Sequence, residues 1–249
     1  MQEDIQKLND EITRLKENAG VKSEMVSIGT HQIRTSLSAI KWMIKMFLDG
    51  DLGTLTVEQE TILKKAFDNN DRAIAIINEI LLLNKTEDIT EKAYKFENVD
   101  AIELIENVTF DFSGEAHGQK VEVIFLKPYE DMPNVYADKE KLRIVLDNLL
   151  ENAIKYNNAG GKIFIALEKN AEDLEISFKD TGIGISEEGK DKIFEKFYRE
   201  PNAEKKEVVG SGIGLFTVKK IVENMKGKIW FDSSEGNGTT FFFTLPMAK

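Results

Sequence analysis

Four short segments of this chain carry side chains that could move or hold a phosphoryl group. They are Thr30-His31-Gln32-Ile33-Arg34-Thr35, Asn148-Leu149-Leu150-Glu151-Asn152, Asp180-Thr181-Gly182-Ile183-Gly184 and Gly210-Ser211-Gly212-Ile213-Gly214-Leu215. A neutral imidazole nitrogen is a good nucleophile near pH 7, so His31 is a candidate covalent acceptor. Asn148 and Asn152 are four residues apart, share one helix face, and offer amide oxygens of the kind a divalent cation accepts. Lys155 and Tyr156 follow within a turn and add a charge and a ring. Asp180 can accept a hydrogen bond from an exocyclic amine, and Gly182 and Gly184 let the backbone approach a flat ligand. Gly210, Gly212 and Gly214 run into a helical pattern, and backbone amides at such a helix start attract anions.

These residues need elements to hold them. Ile5, Leu8, Ile12, Leu15 and Ala19 alternate spacings of three and four, an a/d seam that predicts a short parallel coiled coil over residues 1–22. The rhythm resumes in Ile33, Leu37, Ile40, Ile44 and Phe47, and Gly50-Asp51-Leu52-Gly53 then breaks it. Thr56, with Gln59 three residues on, caps a second helix whose stripe runs through Leu63, Ala66, Asn70, Ala73, Ile77 and Ile80. At about 100° per residue, His31 points away from the first helix's stripe and into solvent. Thr35 and Ser38 lie on roughly the same side. Two such helices form an antiparallel hairpin over 23–88. A lone hairpin buries little, so two copies should pair into a four-helix bundle, a homodimer.

Residues 89–98 read as a polar linker. From 99 to 249 the pattern becomes mixed. Helices are expected near 100–112, 138–156, 186–196 and 213–225, and strands at 121–125, 162–168, 174–178, 228–232 and 239–245. The predicted fold is α+β: a helical hairpin followed by an α/β sandwich, a mixed sheet covered on one face by helices. The polar stretch Arg199–Val209, between the aspartate and the last glycine segment, reads as a mobile lid. His117, beside Gly118 in a polar stretch, reads as a surface or structural histidine.

Composition narrows the field. Lys and Arg number 33 against 44 Asp and Glu, a net charge of −11 that should repel nucleic acid and anionic membrane surfaces. The chain has no cysteine, which rules out disulfides, thiolate metal sites and cysteine nucleophiles. No stretch approaches the roughly 18–20 apolar residues that span a bilayer, so no membrane segment is expected in this chain.

In this order the four segments resemble the sensor histidine kinases of two-component systems, from about residue 22 onward. The first is similar to their phospho-acceptor box, a histidine followed by an acidic residue, a hydrophobic residue, Arg, Thr and Pro. The resemblance implies that His31 is phosphorylated and that Thr35 positions water for dephosphorylation of the partner. Gln32 stands where the family has a carboxylate that takes the histidine's proton, and an amide cannot act as that base. Ser36 stands where proline is usual, so a kink there should be weaker.

The remaining segments look like the Bergerat-type ATP-binding domain of the same kinases. By that resemblance Asn152 binds Mg²⁺, Asp180 binds adenine, and Asn148, Lys155 and Tyr156 complete the helix side. Phe194 and Phe197 match the phenylalanine box, and Arg199 matches a phosphate-contacting arginine. Gly210, Gly212, Gly214 and Leu215 match the phosphate-side glycine segment. Gly236-Asn237-Gly238-Thr239-Thr240-Phe241 matches the terminal one, with Thr240 or Thr239 near the base. The implied activity is ATP- and Mg²⁺-dependent phosphorylation of His31, then transfer to an aspartate of a response regulator. Such a chain works in the cytoplasm, as a soluble kinase or the cytoplasmic part of a membrane-anchored receptor. Two other readings are an ATPase related to topoisomerases and chaperones, and a scaffold or phosphatase-biased member of the family. Those ATPases carry a glutamate at the position matching Asn148, which disfavours hydrolysis here; Gln32 keeps the scaffold or phosphatase reading open.

Overall fold

A computed structural model of the chain describes residues 28–87, 94–201 and 211–248. The expected coiled coil over 1–22, linker residues 89–93 and Gly210 lie outside the described residues, as does most of the expected lid. The chain divides into two compact units, Met1–Asp88 and Ile89–Lys249.

The first unit is a helical hairpin. α1 covers 28–48 and α2 covers Val57–Glu87. Gly50 and Gly53 make the turn with φ of 85° and 113°, values that disfavour any side chain. Thr56 and Gln59 form a reciprocal capping box. The Gln59 N–H donates to Thr56 Oγ1 at 3.2 Å, and the Thr56 N–H donates to Gln59 Oε1 at 2.9 Å. The two helices are tied by Asn70 Nδ2, which donates to the Leu37 carbonyl at 2.9 Å, and by a Lys41–Asp71 ion pair at 2.5 Å. Lys41 also lies 5.1 Å from the centre of the Phe67 ring. Ile77 is buried, yet Ile33, Ile40 and Phe47 on the α1 stripe remain 51%, 41% and 40% exposed in a single hairpin.

The second unit is a sheet with helices on one face. Its elements run β1 (Glu97–Val99), α3 (Ala101–Asp111), α4 (Ser113–Gly118), β2 (Glu122–Leu126), β3 (Val135–Ala137), α5 (Lys139–Lys155), β4 (Lys162–Asn170) and β5 (Asp173–Asp180). Then follow α6 (Glu187–Lys190), α7 (Gly214–Asn224), β6 (Ile229–Ser233) and β7 (Thr239–Pro246). Strand order in the main sheet is β2-β4-β5-β7-β6; β2 and β4 pair in parallel and the other neighbours antiparallel. β1 and β3 make a separate two-stranded ribbon. Alternation puts Ile163, Ile165, Leu174, Ile176, Phe178 and Phe243 on the covered face, each 1% exposed or less. Helix α5 meets them with Leu142, Leu146, Leu149 and Leu150, and α7 with Val218, Ile221 and Val222. Burying each such side chain is worth about 1.5–3 kcal/mol.

The helical hairpin and the helix-covered mixed sheet are those expected. Three local differences have physical causes. The ribbon strands β1 and β3 are three residues each, too short to show a period. Residues 94–98, expected as linker, are ordered: Tyr94 is 7% exposed, its hydroxyl accepts from Asn224 Nδ2 at 3.2 Å, and the Lys95 N–H donates to Asp138 at 2.9 Å. The helix expected over 186–196 stops at Lys190, because Phe194 is drawn edge-on against Phe231 and Phe241, at 5.8 and 6.3 Å between ring centres. Packing of one ring outweighs local helix preference. No helix among the described residues is long and apolar enough to cross a membrane.

Candidate functional site

In the hairpin, His31 is exposed on α1, with Gln32 and Thr35 exposed beside it. Thr35 Oγ1 donates to the His31 carbonyl at 3.0 Å and Ser36 Oγ to the Gln32 carbonyl at 3.1 Å. These back-bonds occupy both hydroxyls within the helix itself. Trp42, eleven residues after His31 and so nearly in line with it on the same face, is 64% exposed.

In the second unit the site forms where α5, the end of β5, the start of β7 and the N-terminus of α7 converge. Asp138 caps α5 by accepting the Lys141 N–H at 3.0 Å, and seven buried residues seat the helix on the sheet. That leaves Asn148 and Asn152 half-buried along one face. Asn148 Nδ2 donates to the Ile144 carbonyl at 2.8 Å, and its Oδ1 faces Gly214, where a Cβ would sit 2.7 Å away. The glycine therefore lets the start of α7 close on α5. Ile213 is the N-cap of α7 and makes no side-chain cap bond to the first amides of this eleven-residue helix. Leu215 packs its side chain on the core and contributes to this end through its backbone. Gly212, with φ of 74°, turns the chain into the helix.

Asp180 ends β5 and is 7% exposed. Its Oδ1 accepts the Gly182 N–H at 2.8 Å and the Thr239 N–H at 3.2 Å. Burial pushes its carboxyl up from the ordinary 3.8 to about 6, against the lowering effect of those two N–H donors. The glycines around it are required by close backbone approach. A Cβ on Gly182 would meet the Tyr156 carbonyl at 2.4 Å, one on Gly184 the Ser234 carbonyl at 2.1 Å, and one on Gly238 the Asp180 carbonyl at 2.1 Å. The Ile183 N–H donates to the Tyr156 carbonyl at 3.1 Å, which ties the Asp180 loop to the end of α5.

The structure thus gathers Asn148, Asn152, Tyr156, Asp180, Gly182, Gly184, Gly212, Gly214 and Leu215 around one region. One expectation needs correction, the choice of threonine. Of the two threonines on β7, Thr239 reaches Asp180. Thr240 alternates to the opposite face of the strand, paired across the sheet with Lys179 and Asp232. Lys155 pairs with Glu151 at 2.5 Å, one turn back on α5, and both side chains stay partly exposed. The phenylalanine pair splits: Phe194 packs inward, while Phe197 is 64% exposed at a left-handed φ of 65°. Arg199 is half-buried. His117 is exposed at the end of α4.

Sequence reasoning missed two residues. Ser233 Oγ accepts the Ile185 N–H at 2.9 Å, donates to the Gly238 carbonyl at 2.9 Å and lies 2.8 Å from Thr239 Oγ1, so it links both glycine loops. Glu200 is 6% exposed, and its Oε1 accepts the Ser186 N–H at 2.8 Å. Neither has a neighbour in sequence that would mark it.

Comparison with known proteins agrees with this geometry. Residues 21–89 match the model of the His Kinase A (phospho-acceptor) domain, and residues 137–249 that of the histidine kinase-, DNA gyrase B- and HSP90-like ATPase domain. The chain is 33% identical over 232 residues to the sensor histidine kinase WalK of Bacillus subtilis, covering 90% of this chain and 36% of WalK. It is 30% identical over 258 residues to the adaptive-response sensory kinase SasA of Crocosphaera subtropica, covering 99% of this chain and 66% of that one. Among solved structures, the catalytic domain of histidine kinase ThkA superimposes with a TM-score of 0.54 at 31% identity, covering 62% of this chain and 99% of that domain. Full-length ShkA in complex with AMPPNP shares the fold, with a TM-score of 0.72 at 24% identity, over 91% of this chain and 46% of ShkA.

Proposed function

The chain belongs to the sensor histidine kinases of two-component systems, and on that premise we propose that it binds ATP and phosphorylates its own His31. The carrying observation is Asp180: a buried carboxylate whose Oδ1 is already engaged by two backbone N–H groups, leaving Oδ2 to accept the exocyclic amine of adenine. The open N-terminus of α7 receives the phosphates, with Arg199 as a further phosphate contact. Gly182 and Gly184 let the base lie against the backbone.

Among the described residues no cluster of acidic, histidine or cysteine side chains could hold a metal by itself. The donor set fits a cation that rides on the nucleotide, with the Asn152 amide oxygen completing its shell. When bound, Mg²⁺ neutralises charge across the phosphates. In the transfer step a His31 imidazole nitrogen forms a bond to the γ-phosphorus, the bond to the bridging oxygen breaks, and ADP leaves. The imidazole proton passes to water, since Gln32 cannot accept it. In the second step an aspartate oxygen of a response regulator takes the phosphoryl group and the N–P bond breaks. Exposure of Trp42 on the His31 face gives that regulator an aromatic anchor. The exposed α1 stripe supports a homodimer built on the 23–88 hairpin, and the use of ATP is consistent with a reaction in the cytoplasm.

Incubation with γ-labelled ATP and Mg²⁺, alongside His31→Ala, tests this. Acid-labile, alkali-stable label that disappears in the variant supports the kinase. Binding of ATP without label favours a second reading, a phosphatase-biased member of the family, for which Gln32 is the specific observation.

A further inference from the structure

Glu200 takes part in neither base recognition nor phosphoryl transfer, yet three features are fitted to its buried carboxylate. Its Oε1 accepts the Ser186 N–H at 2.8 Å, at the N-cap of α6. Its Oε2 accepts the Tyr198 hydroxyl at 3.1 Å. Gly189 makes the room, since a Cβ there would sit 2.2 Å from Oε2 and 3.0 Å from the Tyr198 oxygen. Just upstream, Phe197 adopts its left-handed φ of 65°. That conformation costs about 1–3 kcal/mol in a bulky residue and persists only where its surroundings impose it. Here the Phe197 N–H donates to the Gly212 carbonyl at 2.9 Å, and Gly212 lies so close that a Cβ would be 2.5 Å from the Tyr198 carbonyl. The turn leaves Phe197 outside and brings Tyr198 to Glu200.

Arg199 is thereby held between two tethered neighbours. We propose that Glu200 is a positioning residue of the nucleotide site. Fastened to Ser186 and Tyr198, it fixes the backbone of Arg199 and so sets where that guanidinium meets the phosphates of a nucleoside triphosphate. Loop 181–186 follows directly on Asp180, so one carboxylate ties the phosphate end of the site to the base end. The proposal rests on the reading of Arg199 as a phosphate contact.

Its test uses the intact chain and two probes, ATP and adenosine, whose dissociation constants are measured for Glu200→Ala, Ser186→Pro, Arg199→Ala and the Arg199→Ala/Glu200→Ala double variant. Ser186 has φ of −67°, the value proline requires, so Ser186→Pro removes the donor N–H and leaves Glu200 in place should Glu200→Ala not fold. It also removes the Ser186 Oγ cap on the Gly189 N–H, and Ser186→Ala, which removes that cap alone, is its control and should leave ATP affinity unchanged. Glu200→Ala and Ser186→Pro are expected to weaken ATP about tenfold, the scale of one charge-assisted contact, and to leave adenosine unchanged. Glu200→Gln, which keeps an acceptor for Ser186, should restore most of the ATP affinity. In the Arg199→Ala background, Glu200→Ala should cost nothing more, because its effect passes through that arginine. A further loss there, or an equal loss for adenosine, would show a merely structural role and overturn the proposal. If Arg199→Ala weakens ATP and neither Glu200→Ala nor Ser186→Pro does, the positioning role alone is overturned. If Arg199→Ala leaves ATP affinity intact, the phosphate-contact reading fails and takes this proposal with it.

Discussion

Two side chains set the chemistry at the residue scale, and both depart from comfortable values. Asp180 is held ionised at neutral pH in a site that raises its carboxyl to about 6, roughly two units above the ordinary 3.8. That corresponds to about 3 kcal/mol of stability withheld from the folded state above pH 6. The folded protein binds this proton more tightly than the unfolded chain, so the contribution is fully present below about pH 4 and is lost as pH rises through 6. Asp180→Asn keeps an oxygen for the Gly182 and Thr239 amides without the charge. Thermal melts of the nucleotide-free protein should therefore show the variant more stable than wild type at pH 8, the gap closing toward pH 4, while its ATP binding is lost. A variant no more stable at pH 8 would contradict this account of the buried charge. Gln32 is the second case: exposed beside His31, it offers no base. Gln32→Glu should raise the initial rate of label transfer about a hundredfold, the low end of what general bases contribute; an unchanged rate would mean the proton never limits the step. The types and order of His31, Asn152 and Asp180 pointed to two candidate sites in the sequence. Which oxygen is engaged, which of Thr239 and Thr240 faces the site, and the roles of Ser233 and Glu200 depend on contacts between residues up to 59 apart and leave no local trace.

At the scale of elements, the phosphate end of the site depends on how closely α7 approaches α5. Gly214 stands at the contact, and the distance from its missing Cβ to Asn148 Oδ1 would be 2.7 Å. Gly214→Ala should shift the helix start away from Asn148 and weaken ATP roughly tenfold, the worth of one well-placed backbone donor to an anion. The displaced helix start loses packing on α5, so a urea melt should show a loss of about 1 kcal/mol alongside it, the low end for overpacking. Affinity unchanged in that variant would mean the helix terminus does not touch the phosphates. The long elements were legible because each has a clear period: the 3.6-residue stripes of α2 and α5, the alternation of β4, β5 and β7. The capping residue Thr56 marked the start of α2 equally well. The short strands β1 and β3 were not, since they exist only by pairing with each other across the chain, and the aromatic run Phe194–Tyr198, where the expected helix gives out, obeys the core it packs on rather than its own preferences.

The hairpin is incomplete as a single copy, which is a property of the whole molecule. Its α1 stripe, with Ile33, Ile40 and Phe47 half exposed, displays the apolar surface a second hairpin would cover. Ile40→Asp would bury a charge at that seam, and light scattering should show the variant as a monomer; a dimer that survives it would place the interface elsewhere. Sheet order has its own consequence. β7 is last of the strands in the chain, yet it lies in the interior of the sheet between β5 and β6. During synthesis β6 leaves the ribosome with nowhere to pair, and Asp180 waits for the amide of Thr239. The hairpin of β4 and β5 can close early, because its turn is short and local. On the proposed reading of Asp180, adenine recognition is completed only after β7 has paired with β5, so a nascent chain gains its nucleotide site last.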